Sequence, residues 1–257
     1  MKLNYVEQGT GSPVILMHGM FGSVSNLGNL ARALANHYRV ISVDMRNHGD
    51  SPHEQQMDIE VMAGDIVELL DALDIKSATL VGHSLGGKIG MQVAMNQPDR
   101  VDCLVVADIS PVDYPEQNNH QVVRALQEVT KQILVSRQQA DGILADNQIN
   151  APTRAFLLKN LRRLSSGHFE LKLNVSSIVA NYGNKLVSAP TGDRYLGPAL
   201  FIKGENSAYI QDKHRPIIKD LFPNSRLEVV SDVGHWLHAE KPEVFNSLVY
   251  GFLDENR

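Results

Sequence analysis

The chain has 257 residues, of which 43% are hydrophobic and 21% are charged, with a formal net charge of −5 and one cysteine. This composition is typical of a folded globular protein and excludes a disordered, collagen-like or disulfide-rich chain. The single cysteine, Cys103, allows neither an intrachain disulfide nor a multi-cysteine metal cluster. The negative charge and the absence of a basic run argue against nucleic acid as a partner.

The N-terminal residues carry no apolar segment of the kind found in signal peptides. The longest apolar runs, such as Cys103–Ala107, have about five residues, far short of the ~18 that a membrane span requires. We therefore expect a cytoplasmic protein without a membrane span.

Short apolar runs alternate with amphipathic segments over the first 110 residues. Buried-strand patterns occur at 13–17, 39–43, 78–81 and 101–107. Apolar residues at helical spacing fill the intervals at 27–34 and 61–73, and a further helix is expected to run to about Asn96. Apolar strands that alternate with helices predict a mainly parallel sheet covered on both faces.

The alternation stops between about 112 and 187, where polar residues separate Leu-rich helical patches such as Phe156–Leu164. It resumes with strand patterns at 199–202 and 227–230 and helical patterns at 212–221 and 242–253. A structureless loop of such length is uncommon in a compact domain. We therefore predict an α/β core formed by residues 1–110 and 188–257, interrupted by a helical cap at 111–187.

The most informative motif is the sequence Gly82-His83-Ser84-Leu85-Gly86. A G-x-S-x-G sequence between a strand and a helix is typical of a nucleophile elbow, a tight turn that exposes the serine hydroxyl above the sheet. The glycines avoid side-chain clashes across the turn, and the N-terminus of the following helix favours developing negative charge. We predict that Ser84 is a nucleophile.

An activated serine needs a base. Of the ten histidines, His235 is the best candidate because it follows the last predicted strand and comes after Ser84 in the chain. The nearby His238 does not complete a metal site, since two histidines without further ligands bind metal poorly. We expect no metal and no cofactor.

Three acidic residues are candidates for the partner of His235. The strand at 199–203 is followed by Glu205 and then by Ser207, which occupies the place of an expected Asp. Asp108, at the end of the strand after the elbow, could reach His235 from an adjacent strand, and a triad is defined by geometry rather than by order. We favour Asp108, followed by Glu205 and then Asp232.

The loop after the first long strand, His18-Gly19-Met20-Phe21, is expected to supply part of an oxyanion hole. In this arrangement one N–H comes from that loop and the other from the residue after the nucleophile. We therefore predict the backbone N–H groups of Met20 and Leu85 as oxyanion donors. Phe21 and Trp236 flank the predicted site and are candidates for the lining of a substrate pocket.

Five motifs in this order resemble the α/β-hydrolase superfamily, and within it a group of small bacterial esterases. They lie at 18–22, 44–52, 82–88, 108–114 and 234–242. The resemblance implies an α/β-hydrolase fold whose helical cap is inserted after the sixth strand, with Asp108 as the catalytic acid. It also implies hydrolysis of short acyl esters and acyl-CoA thioesters without a cofactor.

We predict a serine carboxylic-ester hydrolase with a small-molecule ester or thioester substrate. The predicted cap carries nine Lys/Arg and six Asp/Glu, so the remaining residues are acidic overall. A basic cap would attract an anionic substrate such as an acyl-CoA, although its arginines are as well explained as a solvated helix face. The alternatives are a C–C bond or lipid hydrolase that uses the same triad, and a small-molecule receptor that retains the fold.

Overall fold

A seven-stranded sheet forms the centre of the structure, a computed structural model that describes residues 1–115 and 120–257. The strands are β1 (Tyr5–Gln8), β2 (Pro13–Met17), β3 (Arg39–Val43), β4 (Ala78–His83), β5 (Val101–Ala107), β8 (Ala199–Gly204) and β9 (Ser225–Val230). Their spatial order is β1-β3-β2-β4-β5-β8-β9. Only β1 runs antiparallel to its neighbour within this sheet.

Alternate residues of the central strands pack into two separate hydrophobic cores. In β2, Val14 and Leu16 belong to one core, and Ile15 and Met17 belong to the other. This alternation follows from the two-residue period of a strand, and the burial of both faces explains why these strands are continuously apolar. The predicted parallel sheet with two covered faces is thus confirmed.

Helices cover both faces of the sheet. Helices α1 (Gly28–Leu34) and α10 (Pro242–Glu255) contact each other on one face. On the other face α2 (Ile59–Ala72) packs against α3 (Leu85–Asn96). The smaller helices α8 (Arg215–Leu221) and α9 (Leu237–Glu240) lie in the connections around β9. Among the described residues, no helix is both long enough and apolar enough to span a bilayer.

The segment between β5 and β8 contains most of the remaining helices. It comprises α4 (His120–Thr130), α5 (Arg137–Asp146), α6 (Ala151–Leu157), a hairpin of β6 (Leu161–Arg163) and β7 (Phe169–Leu171), and α7 (Val175–Asn181), which continues into a π-helical turn at Tyr182–Leu186. Residues 116–119 of the expected cap lie outside the described residues. The insertion follows the fifth strand, β5, whereas the resemblance implied the sixth. The count is lower by one because the chain forms a single strand, β1, before β2.

The helical prediction for Phe156–Leu164 is wrong in its second half, where the chain forms β6. The side-chain amide of Asn160 donates to the carbonyl oxygens of Leu157 (3.1 Å) and Phe21 (2.8 Å). These bonds end the helix and tie it to a loop that is distant in the sequence. Gly167, at φ 89°, then closes the turn of the hairpin. The sequence pattern contains no signal for the contact with Phe21.

Lys88 joins both ends of the insertion to α3. Its ammonium group is buried and donates to the carbonyl oxygens of Val112 (3.0 Å), Val187 and Ser188, and it lies 4.9 Å from the centre of the Tyr114 ring. Burial lowers the pKa of Lys88 to about 7, while the three carbonyl acceptors stabilise its charged form. One side chain thus fixes the points where the chain leaves and re-enters the sheet region.

Candidate active site

Ser84 occupies a sharp turn between β4 and α3. Its backbone has φ 52° and ψ −116°, a conformation that L-residues rarely adopt. The Ser84 N–H donates to the carbonyl oxygen of Ala107 on β5 at 2.9 Å, so the neighbouring strand holds the turn in place. The side chain is half-buried at the C-terminal edge of the parallel strands, where open α/β sheets bind ligands.

The glycines on either side of Ser84 are required by close backbone approach. A Cβ atom on Gly82 would overlap the carbonyl group of Gly86, and a Cβ atom on Gly86 would overlap the carbonyl oxygen of Met17 on β2. Neither neighbour is a flexible side chain that could move aside. The G-x-S-x-G spacing therefore follows from the packing of α3 directly against the sheet.

The carboxylate of Asp108 contacts the imidazole of His235. Oδ2 of Asp108 lies 2.7 Å from Nδ1 of His235, and Asp108 has no exposed surface. Its carboxylate also accepts the N–H of Gly204 at 3.1 Å and the hydroxyl of Ser207. A buried carboxylate with three donors is well compensated for the loss of water. It orients His235 so that Nε2 is the ring nitrogen left for chemistry.

The other two acidic candidates have different partners. Glu205 accepts the backbone N–H of Asp232 at 2.9 Å, and the Asp232 carboxylate lies 3.4 Å from the ammonium of Lys241. Both carboxylates are exposed. Ser207, at the position where the sequence suggested a missing Asp, instead donates its hydroxyl to Asp108. The structure therefore brings Asp108 to His235, while Glu205 and Asp232 make surface contacts.

Ser84 and His235 line one cavity of about 250 Å³. Phe21 and Trp236, predicted as pocket residues, also line it, and Trp236 packs against Phe156 of α6 with ring centres 5.2 Å apart. The remaining lining residues are Gly19, Met20, Asn26, His83, Val122, Thr153, Phe156, Leu157, Tyr209 and His238. The wall thus combines the ends of the strands with side chains from α4 and α6.

The loop that carries Met20 is held from both sides. Phe21, at φ 62°, donates its N–H to Nε2 of His48 at 3.1 Å and accepts the side-chain amide of Asn160 at 2.8 Å. Met20 lines the cavity next to Ser84. Leu85 is the first residue of α3, so its N–H has no partner within the helix. Both residues predicted to supply oxyanion donors therefore line a cavity that Ser84 also lines.

Two buried histidines support this loop, and the sequence analysis missed both. His18 lies 2.7 Å through Nδ1 from the carbonyl oxygen of Gly19 and accepts the N–H of Met45 at Nε2 (3.0 Å). The two bonds require a neutral ring with its proton on Nδ1. Burial lowers the pKa of His18 to about 4 and that of His48 to about 3. His18 directly follows β2 and His48 lies in the loop after β3, and these positions beyond strand ends are the only sequence signal for this role.

His83 positions the main chain of His235. Its Nε2 lies 2.8 Å from the His235 carbonyl oxygen, which can only accept, so Nε2 carries the proton. Burial lowers the pKa of His83 well below its usual value. The ring centres of His238 and His83 lie 4.4 Å apart, and burial lowers the pKa of His238 to about 4. Among the described residues, Nδ1 of His238 has no hydrogen-bond partner.

Metal-ligating residues are not grouped in the described part of the chain. Within residues 1–115 and 120–257, no set of three His, Cys, Asp or Glu side chains is arranged to hold an ion. The cysteine, Cys103, is buried in β5, and burial raises the pKa of its thiol to about 11. A thiol of this kind is inert as a nucleophile.

Known hydrolases match nearly the whole chain in sequence and in structure. A family model described as the alpha/beta hydrolase fold matches residues 12–242. Esterase YbfF of Escherichia coli (strain K12) is 38% identical over 260 residues, which cover 99% of this chain and 100% of that protein. The sn-1-specific diacylglycerol lipase ABHD11 of Mus musculus is 39% identical over 249 residues, which cover 93% of this chain and 80% of that protein. A solved marine microorganism esterase matches with a TM-score of 0.91 and 37% identity, covering 98% of this chain and 99% of its own.

Proposed function

Because the chain belongs to the α/β-hydrolase family and is a hydrolase similar to esterases, we propose that it is a serine carboxylic-ester hydrolase. Ser84 is the nucleophile, His235 the general base and acid, and Asp108 the group that orients His235. The observation that carries the proposal is the contact of 2.7 Å between Asp108 and a histidine that shares a cavity with Ser84. This is the Ser–His–acid arrangement by which a weak alcohol nucleophile is activated.

The reaction proceeds in two steps. The Oγ atom of Ser84 attacks the ester carbonyl carbon while Nε2 of His235 takes the hydroxyl proton. The N–H groups of Met20 and Leu85 stabilise the oxyanion. The carbon–oxygen bond to the alcohol then breaks, and His235 gives its proton to the departing oxygen. A water molecule next gives a proton to His235 and attacks the acyl carbon. The bond between this carbon and Oγ of Ser84 then breaks, and His235 returns the proton to Oγ, which releases the acid and restores Ser84.

The test is the substitution Ser84→Ala, with Ser166→Ala in the exposed hairpin turn as the matched control. Hydrolysis of p-nitrophenyl acetate should fall to the uncatalysed rate in Ser84→Ala and stay unchanged in the control. Labelling by a fluorophosphonate, located by mass spectrometry of the peptides, should modify Ser84. Turnover by a folded Ser84→Ala protein would contradict the proposal, whereas a wild-type protein that binds a small molecule in the cavity without hydrolysing any ester would favour a receptor role.

A lipid ester is a second candidate substrate within the same reaction. The similarity to proteins named sn-1-specific diacylglycerol lipase supports it. Hydrolysis of a diacylglycerol in mixed micelles, compared with a p-nitrophenyl ester at equal concentration, separates the two substrates. A higher kcat/KM for the diacylglycerol would make the lipid the preferred class.

Activity on acyl-CoA thioesters rests on the charge of the expected cap. Part of this charge is compensated locally, since Arg154 pairs with Asp141 at 2.7 Å and Arg162 pairs with Glu170. Thioesters are attacked by the same nucleophile, so a parallel assay of acetyl-CoA and ethyl acetate tests this extension. We expect thioester turnover to weaken with rising ionic strength if the remaining cations attract the CoA phosphates.

A further inference from the structure

Two cavities meet at Ser84. The larger one, of about 250 Å³, lies on the side of His235. A smaller one, of about 40 Å³, lies on the side of Leu85 and does not include His235 among its lining residues. Met20 and Tyr209 line both cavities. The nucleophile therefore has space on two sides, and the two spaces differ about sixfold in volume.

The chemistry of the proposed function, on which this inference rests, distinguishes the two sides. The alcohol oxygen leaves with the proton of His235, so the alcohol must lie next to this imidazole. The acyl carbon stays bonded to Ser84 with its oxygen against the N–H groups of Met20 and Leu85. The acyl chain therefore extends away from His235, towards the side of Leu85.

We propose that the smaller cavity binds the acyl chain of the ester and the larger cavity binds the alcohol. The substrate class is then an ester of a short, uncharged acyl group with a larger and mainly apolar alcohol. A group the size of a water molecule needs about 10–15 Å³ of cavity volume. The smaller cavity, at about 40 Å³, therefore holds roughly three groups of this size, and the larger cavity holds several times more. An acyl group of about two to four carbons fits this limit.

The walls of the smaller cavity support this assignment. Ile109, Leu186 and Val187 give it an apolar lining. Lys88 also lines it, but three carbonyl oxygens already engage its three N–H groups. The ammonium is therefore committed to the backbone and offers no free donor to a carboxylate at the end of an acyl chain. A neutral acyl group is favoured over an acidic one.

The walls of the larger cavity suit a bulkier group. Val122 and Leu157 come from α4 and α6, and Trp236 from the turn that follows β9. The polar residues of this cavity, such as Asn26 and Thr153, can form a hydrogen bond with a hydroxyl of the alcohol. The larger cavity is therefore mainly apolar with a few polar groups, as small-molecule sites generally are.

Two ester series test the assignment with the intact protein. One series lengthens the acyl group of p-nitrophenyl esters from acetyl to decanoyl, and the other lengthens the alcohol of acetate esters from ethyl to octyl. We expect kcat/KM to fall at least about tenfold beyond butanoyl in the first series, because one excess methylene in a closed pocket already costs about tenfold or more. In the second series kcat/KM should stay level or rise.

Variants of each cavity provide matched controls. Leu186→Ala should extend the acyl series by about two carbons and leave the alcohol series unchanged, while Leu186→Phe should shorten the acyl series. Val122→Trp, in the larger cavity, should shorten only the alcohol series. Thermal unfolding verifies that each variant is folded, and Ile109→Val provides a milder enlargement of the smaller cavity.

The assignment is overturned if Leu186→Ala extends the alcohol series, if Val122→Trp shortens the acyl series, or if the wild type prefers decanoyl over acetyl esters. It is also overturned if neither cavity variant changes either series. In all of these cases Ser84→Ala would still abolish hydrolysis. Failure of the subsite assignment is therefore distinct from failure of the proposed function, in which Ser84→Ala retains activity.

Discussion

Replacing His48 by glutamine should change how the stability of this protein depends on pH. His48 is buried, and its Nε2 accepts the N–H of Phe21 while Nδ1 faces the carbonyl oxygen of Arg46 at 2.9 Å. Glutamine keeps a side-chain acceptor and a donor but cannot take up a proton in this range. Burial, reinforced by the charges of His18 and His53 and opposed by the hydrogen bond to Arg46 and by Asp44, lowers the pKa of His48 to about 3.

The sign and the size follow from linkage. The unfolded chain binds a proton at His48 below a pKa of about 6.5, whereas the folded chain stays neutral until about pH 3. Stability from this group is therefore fully present above pH 6.5 and is lost as the pH falls. Between pH 7.5 and 5.0 the loss is about 2 kcal/mol, from 1.5 pH units at 1.36 kcal/mol each. This is a large fraction of a typical free energy of unfolding.

Urea denaturation followed by circular dichroism at pH 7.5 and 5.0 measures the effect. The wild type should lose about 2 kcal/mol more on acidification than His48→Gln, although the variant is less stable at pH 7.5. His168→Gln, at an exposed histidine of the β6–β7 hairpin, is the control and should behave as the wild type. The reasoning is refuted if His48→Gln and the wild type lose the same free energy between these pH values.

Three other changes give separate tests. Asp108→Asn should lower kcat by about 10³–10⁴-fold, because the imidazole of His235 loses its orienting carboxylate. The kcat of Glu205→Gln should stay near that of the wild type. The opposite ranking of the two variants in steady-state assays would assign the acid to Glu205. Lys88→Met should leave three carbonyl oxygens without their donor, lower the unfolding free energy by about 1–3 kcal/mol and speed tryptic cleavage between residues 112 and 188; unchanged proteolysis would contradict this role. Gly86→Ala should lower the free energy of unfolding by about 2 kcal/mol or more, because the added Cβ atom overlaps the backbone. Its control is Gly142→Ala in helix α5, where a Cβ atom would meet no neighbour within 4 Å. In the same denaturation assay this control should raise the free energy of unfolding by about 0.5–1 kcal/mol.

The sequence predicted most elements of the sheet and the helices that cover it. Runs such as Val101–Ala107 are apolar throughout because both faces of the sheet are buried, and such runs are visible without a structure. It did not predict strand β1, whose partly exposed residues lack a strong apolar pattern. It also predicted helix where strand β6 forms, since the contact of Asn160 with Phe21 beyond the end of α6 is not local.

The candidate site divides in a similar way. The position of Ser84 followed from local constraints, because the glycines around it serve a turn made by five consecutive residues. The choice between Asp108 and Glu205 remained open in the sequence, since it depends on which strand ends are neighbours. The structure places β5 next to β8 and brings Asp108 to His235, 127 residues away.

What the sequence determined by itself is the part governed by short-range rules: the alternation of apolar strands and helices, and the tight turn at Ser84 between a strand and a helix. What only the tertiary structure decided is the part governed by contacts between distant segments. The support of the Met20 loop by His18 and His48, the attachment of the insertion by Lys88, and the two unequal cavities at Ser84 belong to this second group. The physical reason is that burial and hydrogen bonding act between atoms that are close in space, and sequence periodicity reports only on neighbours along the chain.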